Sequence, residues 1–170
     1  MKYIFASDIH GSAFYCKKLL ETFENLQAQR LVLLGDLLYH GPRNDLPKEY
    51  NPKEVAKLLN NIKEKIICVK GNCEAEVDQL MLEFPVLCEF GILELDGRRI
   101  YLTHGHRYNI DNPPLMSEGD VLIYGHTHVT LDQIIDGKHF LNPGSVSIPK
   151  ENSEHGFILY ENGIFSHHSL

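Results

Sequence analysis

The segment KYIFASDIHGS, residues 2–12, decides the fold. Residues 2–7 read as a strand. Asp8, His10 and Gly11 interrupt it, and from Ser12 to Leu26 apolar residues recur at 15, 19, 20, 23 and 26, the spacing of one helix face. A strand that ends in polar side chains and runs straight into a helix is the opening unit of an α/β sheet. In such sheets the residues after the carboxyl ends of the strands gather in one crevice.

The unit repeats down the first half. RLVLL (30–34) is a continuous apolar run before Gly35 and Asp36, as expected of a strand covered on both faces. NPKEVAKLLNNI (51–62) begins a helix with Asn51 as N-cap, Pro52 in the first position and Glu54 three residues after the cap. Val55, Leu58, Leu59 and Ile62 then share a face. KIICV (65–69) is a third strand, followed by a predicted helix from Glu74 to about Leu82. The largest irregular piece of this half lies between Leu37 and Tyr50.

The second half changes character, with strand-like runs at 87–95, 99–103, 121–124, 129–135, 139–142, 156–161 and 164–168. Asp96-Gly97, Asp136-Gly137 and Asn162-Gly163 are two-residue hairpin turns of the kind that accept positive φ. The expectation is β-α-β-α followed by a meander, in one domain spanning 1–170, since 170 residues at 43% hydrophobic content suffice for one core.

A net charge of −7 argues against a broad nucleic-acid-binding face, which needs clustered Lys and Arg. No apolar run reaches the ~18 residues of a membrane span. The first residues lack the apolar stretch of a signal peptide. Four cysteines, at 16, 68, 73 and 88, show no C-x-x-C spacing and are expected to be reduced thiols of a cytoplasmic protein.

Five segments place a metal-capable side chain just after an apolar run: FASDIHG (Asp8, His10), LLGD (Asp36), VKGNCE (Asn72), LTHGH (His104, His106) and IYGHTH (His126, His128). Singly, each has an ordinary explanation as a cap, a turn or a solvated loop residue. Two carboxylates, an amide and several imidazoles at strand ends are not explained by capping together. The His126-x-His128 pair is the strongest signal, because alternate residues of an extended segment point the same way. Carboxylate, amide oxygen and imidazole suit Mn, Fe, Zn, Ni or Co, and no cysteine pair supports a four-thiolate structural zinc. A set this large could share a bridging carboxylate between two ions, whose charge would attract phosphate into an acidic protein.

D-x-H-G at 8–11, G-D at 35–36, G-N-x-E at 71–74, H-G-H at 104–106 and G-H-T-H at 125–128 resemble the signature of the calcineurin-like metallophosphoesterases. FASDIHGS, HGPRNDLP, GNCEAEVDQ and NPGSVSIPK are similar to the small bacterial phosphodiesterases of the YfcE type. The resemblance implies an α/β fold, a four-layer α/β/β/α sandwich of two mixed sheets flanked by helices. It also implies two divalent ions, with Mn first and Zn, Fe, Ni or Co as alternatives. Asp8, His10 and His128 would hold one, Asn72, His104 and His126 the other, and Asp36 would bridge. The implied reaction is hydrolysis of a small phosphodiester by a metal-bridging hydroxide, with Asp36, Asn72 and Cys73 as the catalytic set.

Cys73 stands where many family members carry a histidine that steadies phosphate or protonates the leaving group. A thiol is a weaker acid for that task than an imidazolium, which points toward activated or diester substrates. His40, Arg43, Asn44 and His106 are further candidates for substrate contact, with Arg43 suited to bidentate binding. NPGSVSIP (142–149) reads as a turn that positions neighbouring strands. Two alternatives stand beside this reading: a phosphomonoesterase using the same site, and a protein-binding scaffold like the metallophosphoesterase-like subunit of retromer. The complete ligand set favours catalysis. Open β edges leave a homo-oligomer among the expectations.

Overall fold

A computed structural model describes all 170 residues, Met1–Leu170. In chain order the elements are β1 (Lys2–Ala6), α1 (Ala13–Asn25), β2 (Arg30–Leu33), α2 (Pro52–Asn60), β3 (Ile66–Cys68), α3 (Glu76–Met81), β4 (Gly91–Leu95), β5 (Arg98–Leu102), β6 (Val121–Ile123), β7 (Thr130–Ile135), β8 (Lys138–Pro143), β9 (Gly156–Glu161) and β10 (Ile164–Ser169). They form two five-stranded mixed sheets, ordered β10-β9-β1-β2-β3 and β4-β5-β6-β8-β7.

The first sheet has the parallel β1-β2-β3 core that its apolar runs predict, with Phe5 level with Val32 and Leu33 level with Cys68. One face carries Ile4, Ala6, Leu31 and Leu33 against Cys16, Leu19 and Phe23 of α1 and Val55 and Leu59 of α2. Ser12 caps α1 by accepting the Tyr15 N–H, and Asn51 caps α2 by accepting the Glu54 N–H. The other face carries Phe5, Val32 and Ile158 against Ile100, Leu102, Val121, Ile123 and Leu141 of the second sheet. This shared apolar layer fixes the two sheets face to face and brings their strand ends to one edge.

Four features differ from the sequence reading. The second half is not a plain meander: β5, β6 and β8 are mutually parallel neighbours, and the β9-β10 hairpin returns to the first sheet, where β9 pairs antiparallel with β1. The run at 87–95 becomes a strand only from Gly91, because the preceding residues cross between sheets with Cys88 O taking the Lys70 N–H. Helix α3 starts at Glu76 rather than Glu74, since the Glu74 side chain is drawn into the interior. The outer face of the second sheet is covered by no helix. Ile110 and Met116, from the irregular segment between β5 and β6, pack there on Tyr101, Leu122 and Phe140. No helix is long and apolar enough to cross a membrane.

Candidate metal centre

The polar residues at the strand ends adopt an unusual backbone. Asp8, His10, Asp36, His126 and His128 all have positive φ, between 48° and 69°, a region that non-glycine residues enter at a cost and that concentrates at functional sites. Tertiary hydrogen bonds hold them there. Asp8 N donates to Gly35 O at 3.1 Å, His10 N to Asp36 O at 2.9 Å, and Gly125 N to His104 O at 2.8 Å. The turn at 142–149 clamps the same loops: Asn142 Nδ2 donates to Gly125 O at 2.8 Å, and the hydroxyls of Ser145 and Ser147 both donate to Asp8 O. A β-carbon added at Gly125 would stand 1.9 Å from Ser7 Oγ and 2.7 Å from Asp8 Oδ2, so this crossing leaves no room for a side chain.

These loops bring all seven candidate ligands into one cluster. The Nε2 atoms of His10 and His128 are 3.2 Å apart, and Asp8 Oδ1 lies 3.4 and 3.2 Å from them. His104 Nε2 lies 3.1 Å from Asn72 Oδ1 and 3.3 Å from His126 Nδ1. Asp36 Oδ2 sits between the two groups, 3.7 Å from His10 Nε2 and 3.4 Å from His104 Nε2.

Each carboxylate divides its labour. Asp8 Oδ2 accepts the His126 N–H and Asp36 Oδ1 accepts the Cys73 N–H, so one oxygen fixes backbone and the other faces the cluster. The imidazoles are equally constrained. His10, His104 and His128 turn Nδ1 to the carbonyls of Tyr39, Leu34 and Ile148, each at 2.7 Å. A carbonyl can only accept, so Nδ1 carries the proton and Nε2 points inward, as in histidines oriented for metal binding by a hydrogen bond from their other nitrogen. The inward atoms are lone-pair donors facing one another, and Asp8 Oδ1 is buried with no hydrogen-bond partner at all. Only protons or cations relieve that arrangement, and the oxygen and nitrogen donors fit divalent ions.

Electrostatics follow from the same geometry. Burial pushes the Asp8 carboxyl up, but His104, His10 and His128 outweigh it and hold it well below the usual range. Asp36 is lowered against burial by its contact with His104. His104 rises to about 9, the attraction of Asp8 and Asp36 exceeding the cost of burial. His126 is lowered, by burial and then by His104.

Of the expected substrate contacts, Arg43, Asn44 and Cys73 line the cleft over the cluster. His40 does not; its ring turns to Tyr50, and Asn44 holds its carbonyl. His106 is exposed and lines a neighbouring groove with His104. Cys73 lies close enough to His10 and Asp36 to join their donor group, and Asn72 Nδ2 donates to its sulfur at 3.3 Å. Burial first, and then Asp36, push the thiol up.

The sequence reading missed two residues. Glu74, read as part of a helix, is buried, and its carboxylate accepts the N–H groups of Asp36, Leu37 and Gly71, pinning two ligand loops together. Lys150 lines the cleft, with its N–H bonded to His128 O. Both had a signal in the motifs: Glu74 closes G-N-x-E at 71–74, and Lys150 closes NPGSVSIPK at 142–150.

Comparison with known proteins agrees with this geometry. Residues 1–162 match the model of the calcineurin-like phosphoesterase superfamily domain. The chain is 45% identical over 166 residues to Phosphodiesterase YfcE of Escherichia coli K12, covering 98% of this chain and 90% of that protein. The solved structure of the Escherichia coli phosphoesterase Yfce superposes with a TM-score of 0.96 at 44% identity, covering 98% of this chain and 91% of the other. A structure of Vps29 complexed with Zn²⁺ from Entamoeba histolytica shares the fold, with a TM-score of 0.63 at 22% identity over 99% and 97% of the two chains.

Proposed function

The chain belongs to the calcineurin-like phosphoesterase superfamily, and on that premise we propose that it hydrolyses small phosphodiesters at two divalent metal ions, with manganese as the working ion. One observation carries the reading: the inward Nε2 atoms of His10 and His128 converge on the partnerless buried Oδ1 of Asp8, and His104 adjoins them in a second group through Asp36. Asp8, His10 and His128 would hold one ion, and Asn72, His104 and His126 the other. Asp36 would serve both, since its Oδ2 lies between the two groups. When bound, such ions supply Lewis acidity and an activated water near neutral pH.

The chain's own residues set what is cleaved. Arg43 offers a planar guanidinium to phosphate oxygens, and Asn44 and Lys150 line the same cleft. Cys73 puts a thiol, a weaker acid than an imidazolium, beside the cluster, so it gives less help to a poor leaving group. A diester with a good leaving group needs less help, and the name of the 45%-identical relative, Phosphodiesterase YfcE, points the same way. We read residues 1–170 as one catalytic unit, and the four free cysteines as those of a cytoplasmic protein. The open edges β4 and β7 of the second sheet leave pairing between copies available.

The test is hydrolysis of bis(p-nitrophenyl) phosphate and p-nitrophenyl phosphate by chelator-stripped protein, before and after Mn²⁺ is returned, with bound metal counted by elemental analysis. Two ions per chain and metal-dependent cleavage of the diester over the monoester are expected. Dominant monoester cleavage would make the protein a phosphomonoesterase. A folded chain that binds metal and cleaves neither would be a scaffold. Cys73→His is expected to raise monoester turnover, and Arg43→Ala to raise KM for the diester.

A further inference from the structure

We propose that the groove beside His104 seats the retained ester arm of the substrate, and that this arm carries a flat aromatic or heteroaromatic ring. The inference deepens the phosphodiesterase reading and rests on it. The groove has a volume of about 470 Å³, inside the roughly 300–1,000 Å³ range of small-molecule sites. It adjoins the cluster through His106, which lines the groove and whose ring lies 6.1 Å, centroid to centroid, from that of His126 in the cleft over the cluster.

Part of its wall, formed by Phe90, Tyr108 and Leu115, is apolar and ring-bearing. Phe90 and Tyr108 meet edge to face, with centroids 6.0 Å apart and planes at 75°. Leu115 is 96% exposed and Tyr108 41%, so apolar surface borders the site without a protein partner. The two charged residues of the rim, Arg107 and Glu89, pair with each other and leave no net charge. The cleft over the cluster differs, because Arg43 and Lys150 both line it.

That contrast assigns the two arms. Cleavage of the P–O bond leaves negative charge on the departing oxygen, which cationic side chains stabilise. The departing arm therefore belongs with Arg43 and Lys150. The arm that keeps its bond develops no charge and belongs in the neutral groove, where Tyr108 and Leu115 bury a flat ring.

Three diesters with a common p-nitrophenolate leaving group test this, the other arm being methyl, phenyl or thymidine 5′. Stacking of one ring contributes enough to make kcat/KM for a ring-bearing arm roughly 5- to 150-fold higher than for methyl. Tyr108→Ala is expected to remove most of that advantage through KM, and Leu115→Ala, at a fully exposed position, part of it. Thymidine above phenyl would identify a nucleoside arm, and the reverse a simple aryl one; either supports the groove. No advantage over methyl, or an equal loss on all three substrates in the variants, overturns the inference while leaving the diesterase intact. A direct readout is saturation-transfer NMR of phenyl methylphosphonate with the protein loaded with diamagnetic Zn²⁺. Transfer to the phenyl protons that vanishes in Tyr108→Ala supports the groove even if no diester is cleaved, an outcome that would sink only the diesterase reading. Unchanged transfer overturns the groove.

Discussion

Two of the settings in which this molecule adopts left-handed backbone, its two-residue hairpins and its strand-end cluster, cost different things. Asp96, Asp136 and Asn162, with φ of 50° to 52°, sit in exposed hairpins, each followed by a glycine. The conformation there is local and tolerated by the residue type. Asp8, His10, Asp36, His126 and His128 have nearly the same φ but lie against one another at the sheet edges, four of them buried. Strain of roughly 1–3 kcal/mol per residue persists only where the surroundings over-determine it. Here those surroundings are the Ser145 and Ser147 hydroxyls, Asn142 and Glu74, with the shared apolar layer behind them. A turn residue is placed by its neighbours in sequence, whereas a site residue is placed by the whole fold.

The contrast is open to attack at its extremes. Gly125 needs no special φ but has no space, so Gly125→Ala is expected to cost about 3 kcal/mol or more and to abolish metal retention. Thermal melts with and without Mn²⁺ would show a large fall and little metal rescue; a near-wild-type melt would mean that the loop crossing is soft. Glu74→Gln keeps the shape but removes the charge that three backbone N–H groups face, and is expected to weaken metal binding about 10- to 100-fold. Titration with Mn²⁺ measures it, and unchanged affinity would strip Glu74 of its positioning role.

A third expectation concerns protons. In the metal-free chain His104 is raised to about 9, so near neutral pH it holds a proton that an incoming cation must expel. Apparent metal affinity then rises by up to ~10-fold per pH unit as pH climbs toward 9. Calorimetry in buffers of different ionisation enthalpy reads the release, and none at pH 7.5 would contradict the raised value. The sign for stability is the reverse. His104 stabilises the metal-free fold fully below about 6.5 and ceases to as pH passes about 9. The smallest effect belongs to the turns. Gly97 has φ +75° and open space, so Gly97→Ala is expected to cost about 1 kcal/mol, seen as a few degrees in Tm, with metal affinity untouched. A loss of metal in that variant would erase the distinction between the two settings.

Legibility in the sequence divides along the same line. The hairpins, the α2 cap at Asn51 and the strand-end position of Asp8, Asp36 and His104 are written in adjacent residues, and the structure reproduces them. The return of β9-β10 to the first sheet was not, since Asn162-Gly163 specifies a turn and nothing about which sheet receives it. The helix start at Glu74 failed because three backbone N–H groups from two loops outcompete helix propensity for that carboxylate. His40 follows the Asp36 segment closely, yet its ring settles against Tyr50. Lys150 reaches the cleft only through the fold.

The clamp that Ser145 and Ser147 place on Asp8 joins residues 137 and 139 positions apart in the chain, and His10 meets His128 across 118. Contacts of such separation form late, because a long loop must close before they give anything back. During synthesis, Asp8 and Asp36 emerge long before the turn that holds them. Metal capture therefore belongs to the final stage of folding, and a nascent chain halted before residue 142 has all seven candidate ligands but lacks the turn that clamps them.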